Sequence, residues 1–153
     1  PCAVRATASF PARSPDVRAV LHAHPDRWTV GLGEHLPPEE RTRLRAALVA
    51  AAVELLAGSV PSVDEPDELV EDTDDQRAAI RRWRAQDASD VAGLLGAAFD
   101  GVVSGAFWVA PALTTGSLSL RFHAGWRLVV ESERAVAGLA DLAARHGLLV
   151  RDR

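Results

Sequence analysis

Ser117-Leu118-Ser119-Leu120-Arg121-Phe122-His123, Ala124-Gly125, and Trp126-Arg127-Leu128-Val129-Val130-Glu131 run in succession and decide the fold. In the first arm Leu118, Leu120 and Phe122 recur at every second position, and in the second arm Trp126, Leu128 and Val130 do the same. A period of two sends alternate side chains to opposite faces, so each arm reads as a half-buried strand. Ala124-Gly125 between the arms reads as a tight turn, and the unit is therefore a β-hairpin. Arg121, His123, Arg127 and Glu131 fall on the outward face and are expected at the sheet surface.

Working outward, Gly105 to Ala110 is an apolar run closed by Pro111 and extends the β region upstream. Phe107, Trp108, Phe122 and Trp126 are expected in the core. Downstream, Ser132 reads as the cap of a helix running to about His146, with Val136, Leu139, Ala140 and Ala143 turned inward. Gly147 ends that helix, and Leu148-Leu149-Val150 reads as an edge strand.

The middle of the chain is helical. Pro37-Pro38-Glu39-Glu40 opens a helix over 38–57, with acids in the first turn where the helix dipole favours them. Leu44, Leu48, Ala51, Ala52 and Leu55 form one stripe, and Glu54 is the only charge between Ala46 and Ala57. This helix is expected at the centre of the molecule, with Gly58 at its C-terminal cap. Thr73 and Gln76 match a capping box, so another helix begins near 74 and turns Ile80 and Trp83 inward. After a break at Asp87, Ser89 and Asp90, the residues Val91, Leu94, Leu95, Ala98 and Phe99 give a further amphipathic helix.

At the N-terminus, Cys2, Val4, Ala6, Ala8 and Phe10 alternate as a strand. Ser14-Pro15 reads as a helix start with Val17, Val20 and Leu21 inward, ended by Pro25, and Trp28, Val30 and Leu32 give a short second strand. With 153 residues the chain is expected to be a single domain, 1–153. Its fold class is α+β in two layers: an antiparallel sheet, built from a C-terminal β-meander plus N-terminal strands, packed against helices.

Composition limits the function classes. Lys, Asn, Met and Tyr are absent, and Ile80 is the only isoleucine. All 17 basic residues are arginine. Missing AT-rich codons are the mark of a GC-rich, bacterial genome, so abundant arginine does not by itself point to nucleic acid. Cys2 is the only cysteine, which excludes an internal disulfide. No basic stretch followed by an apolar run opens the chain, and no window holds eighteen apolar residues. Cytoplasmic residence without membrane contact is the expectation. Net charge is −4, unevenly spread: residues 1–75 carry 7 arginines against 14 acids, and residues 76–153 carry 10 against 7.

Much of that acidity is local. Between 59 and 75 stand Asp64, Glu65, Asp67, Glu68, Glu71, Asp72, Asp74 and Asp75, with Pro61 and Pro66. Such a segment has little to bury and reads as a mobile loop. Without the Asp-x-Asp-x-Asp-Gly pattern it is no calcium loop, but it can steer a basic protein partner by long-range attraction. Immunity proteins that block basic nuclease toxins carry surfaces of this kind.

Other candidates are sparser. His22 and His24, with His35, are the only histidine set suited to a metal, yet residues two apart on a helix diverge by about 200°. Their His-x-His-Pro string resembles metalloisopeptidases of the JAMM type, whose downstream Ser and Asp ligands this chain lacks. Arg81-Arg82-Trp83-Arg84 could hold phosphates, but on a helix Trp83 turns inward and the arginines form a solvated face beside repelling acids. Nucleic acid is therefore not an expected partner. There is no Gly-x-Ser-x-Gly elbow, no phosphate loop and no complete dinucleotide fingerprint, and no cofactor is expected.

Phe10-Pro11-Ala12, Ser14-Pro15-Asp16-Val17 and His24-Pro25-Asp26-Arg27-Trp28 together resemble the opening strand and helices of START-like lipid or polyketide binding domains. The resemblance covers about thirty residues and implies a ligand cavity inside a long antiparallel sheet. The chain departs from it in the helical, acidic middle section.

The leading functional expectation is a non-catalytic interaction protein, regulatory or immunity-like, that uses Asp64, Glu65, Asp67, Glu68, Glu71 and Asp72. One alternative is a binder of small hydrophobic ligands in a cavity lined by Trp28, Trp108 and Trp126. A second is a small metal-dependent hydrolase using His22, His24 and His35.

Overall fold

A computed structural model describes residues 17–23 and 36–152. In chain order the elements are strand β1 (Val17–His22), helix α1 (Pro38–Leu56), β2 (Ser62–Val63), α2 (Asp74–Arg84), α3 (Val91–Val103), β3 (Leu113–Thr115), β4 (Leu118–His123), β5 (Arg127–Ser132), α4 (Leu139–Arg145) and β6 (Leu149–Asp152). The strands form one six-stranded sheet in the order β2-β3-β4-β5-β1-β6, and every neighbouring pair is antiparallel. The α+β class and the packing of helices on an antiparallel sheet are as the patterning predicts.

The hairpin of β4 and β5 carries the register. Leu120 faces Val130 and Phe122 faces Leu128, and all four side chains are buried. The loop between the arms has three residues rather than two. His123 pairs with Arg127, and the Trp126 N–H donates to the His123 carbonyl at 3.0 Å. Trp126 therefore stands outside the strand, with φ of 59° in the left-handed region. Glycine normally takes that position in a three-residue hairpin loop. A tryptophan holds it here because its ring is packed edge-on against Phe99, with centroids 5.1 Å apart.

β1 corrects the reading of residues 14–25 as a helix, for Val17–His22 is a strand between β5 and β6. Ala19 and Leu21 face the helices, while Val20 pairs with Val129 and both are buried outside the main core cluster. A strand buried on both faces loses its alternation, so a short apolar run cannot be told from a helix by periodicity. The alternating segment 2–10 and the segment Trp28 to Leu32 lie outside the described residues.

α1 and α2 begin where their caps predict. At α2, Gln76 N–H donates to Thr73 Oγ1 at 3.1 Å, and Gln76 Oε1 accepts from Thr73 N–H at 3.0 Å. The final helix is shorter than its pattern suggests. Ser132 closes β5 instead of capping a helix, and its Oγ accepts from Arg134 N–H at 3.2 Å. α4 occupies only Leu139–Arg145, and β6 pairs with β1 at the sheet edge.

The centre of the helical layer is α3, not α1. Between Leu94 and Val102 only Asp100 is not fully buried, and α3 packs against α1, α2 and β4. Two glycines make that central place possible. A Cβ on Gly96 would lie 2.8 Å from Arg45 Nη2, and one on Gly101 would lie 2.1 Å from the Phe107 ring. The missing side chain at Gly101 lets the Phe107 ring approach the α3 backbone, and the one at Gly96 leaves room for the Arg45 guanidinium.

The acidic segment is not a free loop. β2 pairs with β3, Asp64 N–H donates to the Ala112 carbonyl, Trp108 N–H to that of Glu68, and Val70 N–H to that of Ala106. Leu69 forms an antiparallel bridge with Phe107. Residues 62–70 thus run as a strap along 106–113, where backbone partners replace the side-chain burial the strap lacks. Turn residues at 104–105 and the bend at Trp108 and Val109 leave only the Phe107 bridge in the run 105–110.

Phe107 closes the arrangement. It lies over Gly101, meets Trp83 edge-on at 5.3 Å, and donates its N–H to the Gly101 carbonyl. Gly101→Ala should displace this ring and cost about 1–3 kcal/mol, measured as a lower urea midpoint at unchanged slope. A midpoint equal to wild type would show that the ring has room to move.

A polar clamp ties α4 to α1. Glu54 accepts from Arg145 and meets His146 Nε2 at 2.6 Å. The His146 contact, followed by Arg145, holds the Glu54 carboxyl below the ordinary carboxylate range. A depressed folded-state pKa stabilises above the unfolded value, about 4.3 for glutamate, and that gain disappears as pH falls through the folded value. Glu54→Gln should therefore lower Tm at neutral pH and leave Tm near wild type at about pH 3. An equal loss at both pH values would remove the carboxylate from the explanation.

Candidate functional site

Two surface features stand out, and they use different residues. The first is the acidic strap. Asp64, Glu65, Asp67, Glu68, Glu71 and Asp72 are all exposed, on a backbone stitched to 106–112. Glu65 Oε2 accepts from the buried Trp83 indole at 3.3 Å, so this carboxylate is also held from below. At the strap's far end, Arg77 donates to the Glu71 carbonyl at 2.8 Å and pairs with Asp74.

Trp108 stands beside the strap and corrects the expectation of a core tryptophan. It is 75% exposed, and its neighbour Val109 is 48% exposed. The reason is local geometry. Phe107 turns inward onto Gly101, and the chain bends at Trp108 and Val109, which leaves both side chains outside. Its own N–H is tied to Glu68 at 3.3 Å. A large exposed aromatic thus stands next to the acidic strap on a hydrogen-bonded backbone.

The second feature is a cleft of about 660 Å³ walled by α1, α2, α3 and the β4–β5 loop. Arg41, Arg45, Arg82, Asp75 and Asp100 supply its charges, and Phe99, Val102 and Trp126 supply its apolar wall. Arg45 and Asp100 form a two-pronged pair, Nε to Oδ1 at 2.8 Å and Nη2 to Oδ2 at 2.9 Å. Hydrogen bonding to Asp100 raises the Arg45 pKa further, so the guanidinium keeps its charge. Arg82 Nη2 lies 3.7 Å from the same carboxylate.

The remaining expected site residues are dispersed. Of the aromatic set, Trp126 lines the cleft and Trp108 does not, while Trp28 lies outside the described residues. His22 is buried in β1 beside its partner Leu149, at a strand end rather than a helix end. His24 and His35 lie outside the described residues. Among the described residues no three His, Cys, Asp or Glu side chains converge as a metal site. Arg121 and His123 are exposed on the sheet, with the His123 ring nitrogen Nδ1 meeting Arg127 at 2.8 Å and Glu131 pairing with Arg18. No described helix is long and apolar enough to cross a membrane.

Sequence reasoning missed the cleft. Arg41 and Arg45 are four apart and share a helix face, which is legible. Nothing in the sequence brings Arg82 and Asp100 to that face. Compared with protein families, curated proteins and solved structures, the chain matches none of them.

Asp100 holds two arginines at once, on a part-exposed site where solvent weakens each pair. Asp100→Asn should cost about 1 kcal/mol at low ionic strength and less in about 1 M salt, read from urea unfolding. A loss independent of salt would mean that packing, not charge, is what Asp100 supplies.

Proposed function

We propose that this chain is a non-catalytic, cytoplasmic interaction protein, regulatory or immunity-like, whose acidic strap receives a basic protein partner. One observation carries the reading: Trp108 is 75% exposed and is hydrogen-bonded to Glu68 within the strap. Tryptophan is among the residues that most often dominate binding energy at interfaces. Exposing one so fully costs solubility, and a partner that covers it removes that cost.

The surrounding chemistry suits a basic partner. The Trp108 N–H is tied to the Glu68 carbonyl, so Trp108 stands opposite the acidic strap, in which Asp64, Glu65, Asp67, Glu68, Glu71 and Asp72 are all exposed. Carboxylates of one sign raise the association rate of a cationic surface, while the aromatic slows its release. The strap is already ordered by β2 and the Leu69 bridge, so binding forfeits little backbone entropy.

Native mass spectrometry of the chain, purified gently from its own host, tests this reading. Wild type should carry an additional protein-sized mass that dissociates as salt is raised. Trp108→Ala, and separately Asp67→Asn with Glu68→Gln, should lose that mass at unchanged Tm. Neutralising charges is preferable to deleting the strap, because deletion would also remove β2 and the cover over Phe107. A bare wild-type monomer, or a partner retained by both variants, would overturn the reading.

A further inference from the structure

The arginine cleft is separate from the strap. Neither Trp108 nor any residue of 64–72 contributes to its walls. Its charges do not cancel among themselves. Asp100 is taken up by Arg45 at hydrogen-bond distance, whereas Arg82 is 3.7 Å from it. The Arg41 backbone N–H donates to the Pro37 carbonyl, while its guanidinium makes no hydrogen bond or ion pair among the described residues. Three guanidinium groups against Asp75 and Asp100 leave one positive charge in excess.

The opposite wall is apolar. Val103 lines it together with the edges of Val102 and Trp126, behind which the buried Phe99 meets Trp126 edge-to-face at 81°. Trp126 is kept there in a left-handed backbone conformation, φ 59°, that a glycine would adopt without strain. A volume near 660 Å³ lies within the range that accommodates a small organic molecule.

We propose that this cleft binds a small organic oxyanion, a flat apolar body carrying one phosphate or carboxylate. The oxyanion sits against Arg41 and Arg82, and the body lies along Val103 and the exposed edge of Trp126. Guanidinium groups suit this task because their planar forks match phosphate and carboxylate oxygens. Arg45 and Asp100 act as positioning residues. Their mutual pair, lodged over Gly96, neutralises Asp100 so that its charge does not repel the ligand. Asp75, the other carboxylate in the lining, disfavours a second negative group and limits the ligand to one oxyanion.

Isothermal titration calorimetry on the full chain tests this, with 1-naphthyl phosphate as probe and 1-naphthol and inorganic phosphate as its two fragments. The whole probe should bind once per chain, at least about tenfold tighter than either fragment, and quench tryptophan fluorescence. Arg41→Ala and Arg82→Ala should each weaken it about tenfold. Both side chains are on the surface, so these variants keep the fold. Arg84→Ala, on the same helix but outside the cleft, should bind as wild type does. The proposal is overturned if the whole probe binds no tighter than inorganic phosphate, or if it fails to bind. Equal weakening in Arg84→Ala would likewise reduce the effect to general surface charge. Because the strap is not involved, these outcomes are independent of whether a protein partner exists.

Discussion

The thinness of α3 is the constraint on which the rest of the molecule depends. At Gly96 and Gly101 the helix presents bare backbone, and a Cβ at either site would collide with Arg45 or Phe107. Close approach at Gly101 seats Phe107 and, through the Leu69 bridge, draws the strap against the body. Close approach at Gly96 lets the Arg45 side chain cross the helix and reach Asp100 four residues on. A side chain at Gly101 would displace Phe107 and the strap tied to it, and one at Gly96 would push the Arg45 guanidinium away from Asp100.

Both features follow from that one helix, but they use different physics. On the strap, backbone hydrogen bonds stabilise a segment whose side chains bury almost nothing. The carboxylates therefore stay solvated and exposed, and the aromatic that follows Phe107 is forced outward. In the cleft, side chains from three helices and a hairpin loop converge, and paired charges sit beside an apolar wall. The first arrangement suits a large, basic, weakly desolvated partner. The second suits a small molecule held in a cleft open to solvent on one side.

Trp126 links the sheet to the cleft. Its loop position favours glycine, yet packing against Phe99 outweighs the backbone preference. Left-handed non-glycine residues cost of order 1 kcal/mol or more and persist only where the surroundings over-determine them. The hairpin thus ends in a strained residue whose ring forms part of the cleft wall.

From the sequence alone, the β4–β5 hairpin, the Thr73–Gln76 box of α2, the starts of α1 and α3 and the α+β class could all be derived. Each rests on local periodicity or on a cap within a few residues. The sequence also determined that Trp83 turns inward and that the acids of 64–72 remain in water. Tertiary structure alone decided that Val17–His22 is a strand, because burial on both faces erases alternation. It alone decided that α3 rather than α1 is central, since a glycine in a helix pattern does not reveal which neighbour will approach it. Trp108 is exposed between apolar Phe107 and Val109, and Trp126 is buried between Gly125 and Arg127, because the chain bends after an anchored Phe107 and Trp126 meets Phe99 from another element. The meeting of Arg41, Arg45, Arg82 and Asp100 is non-local in the same sense. No short-range rule connects residues 41 and 100, and only the packing of α1 on α3 puts them around one space.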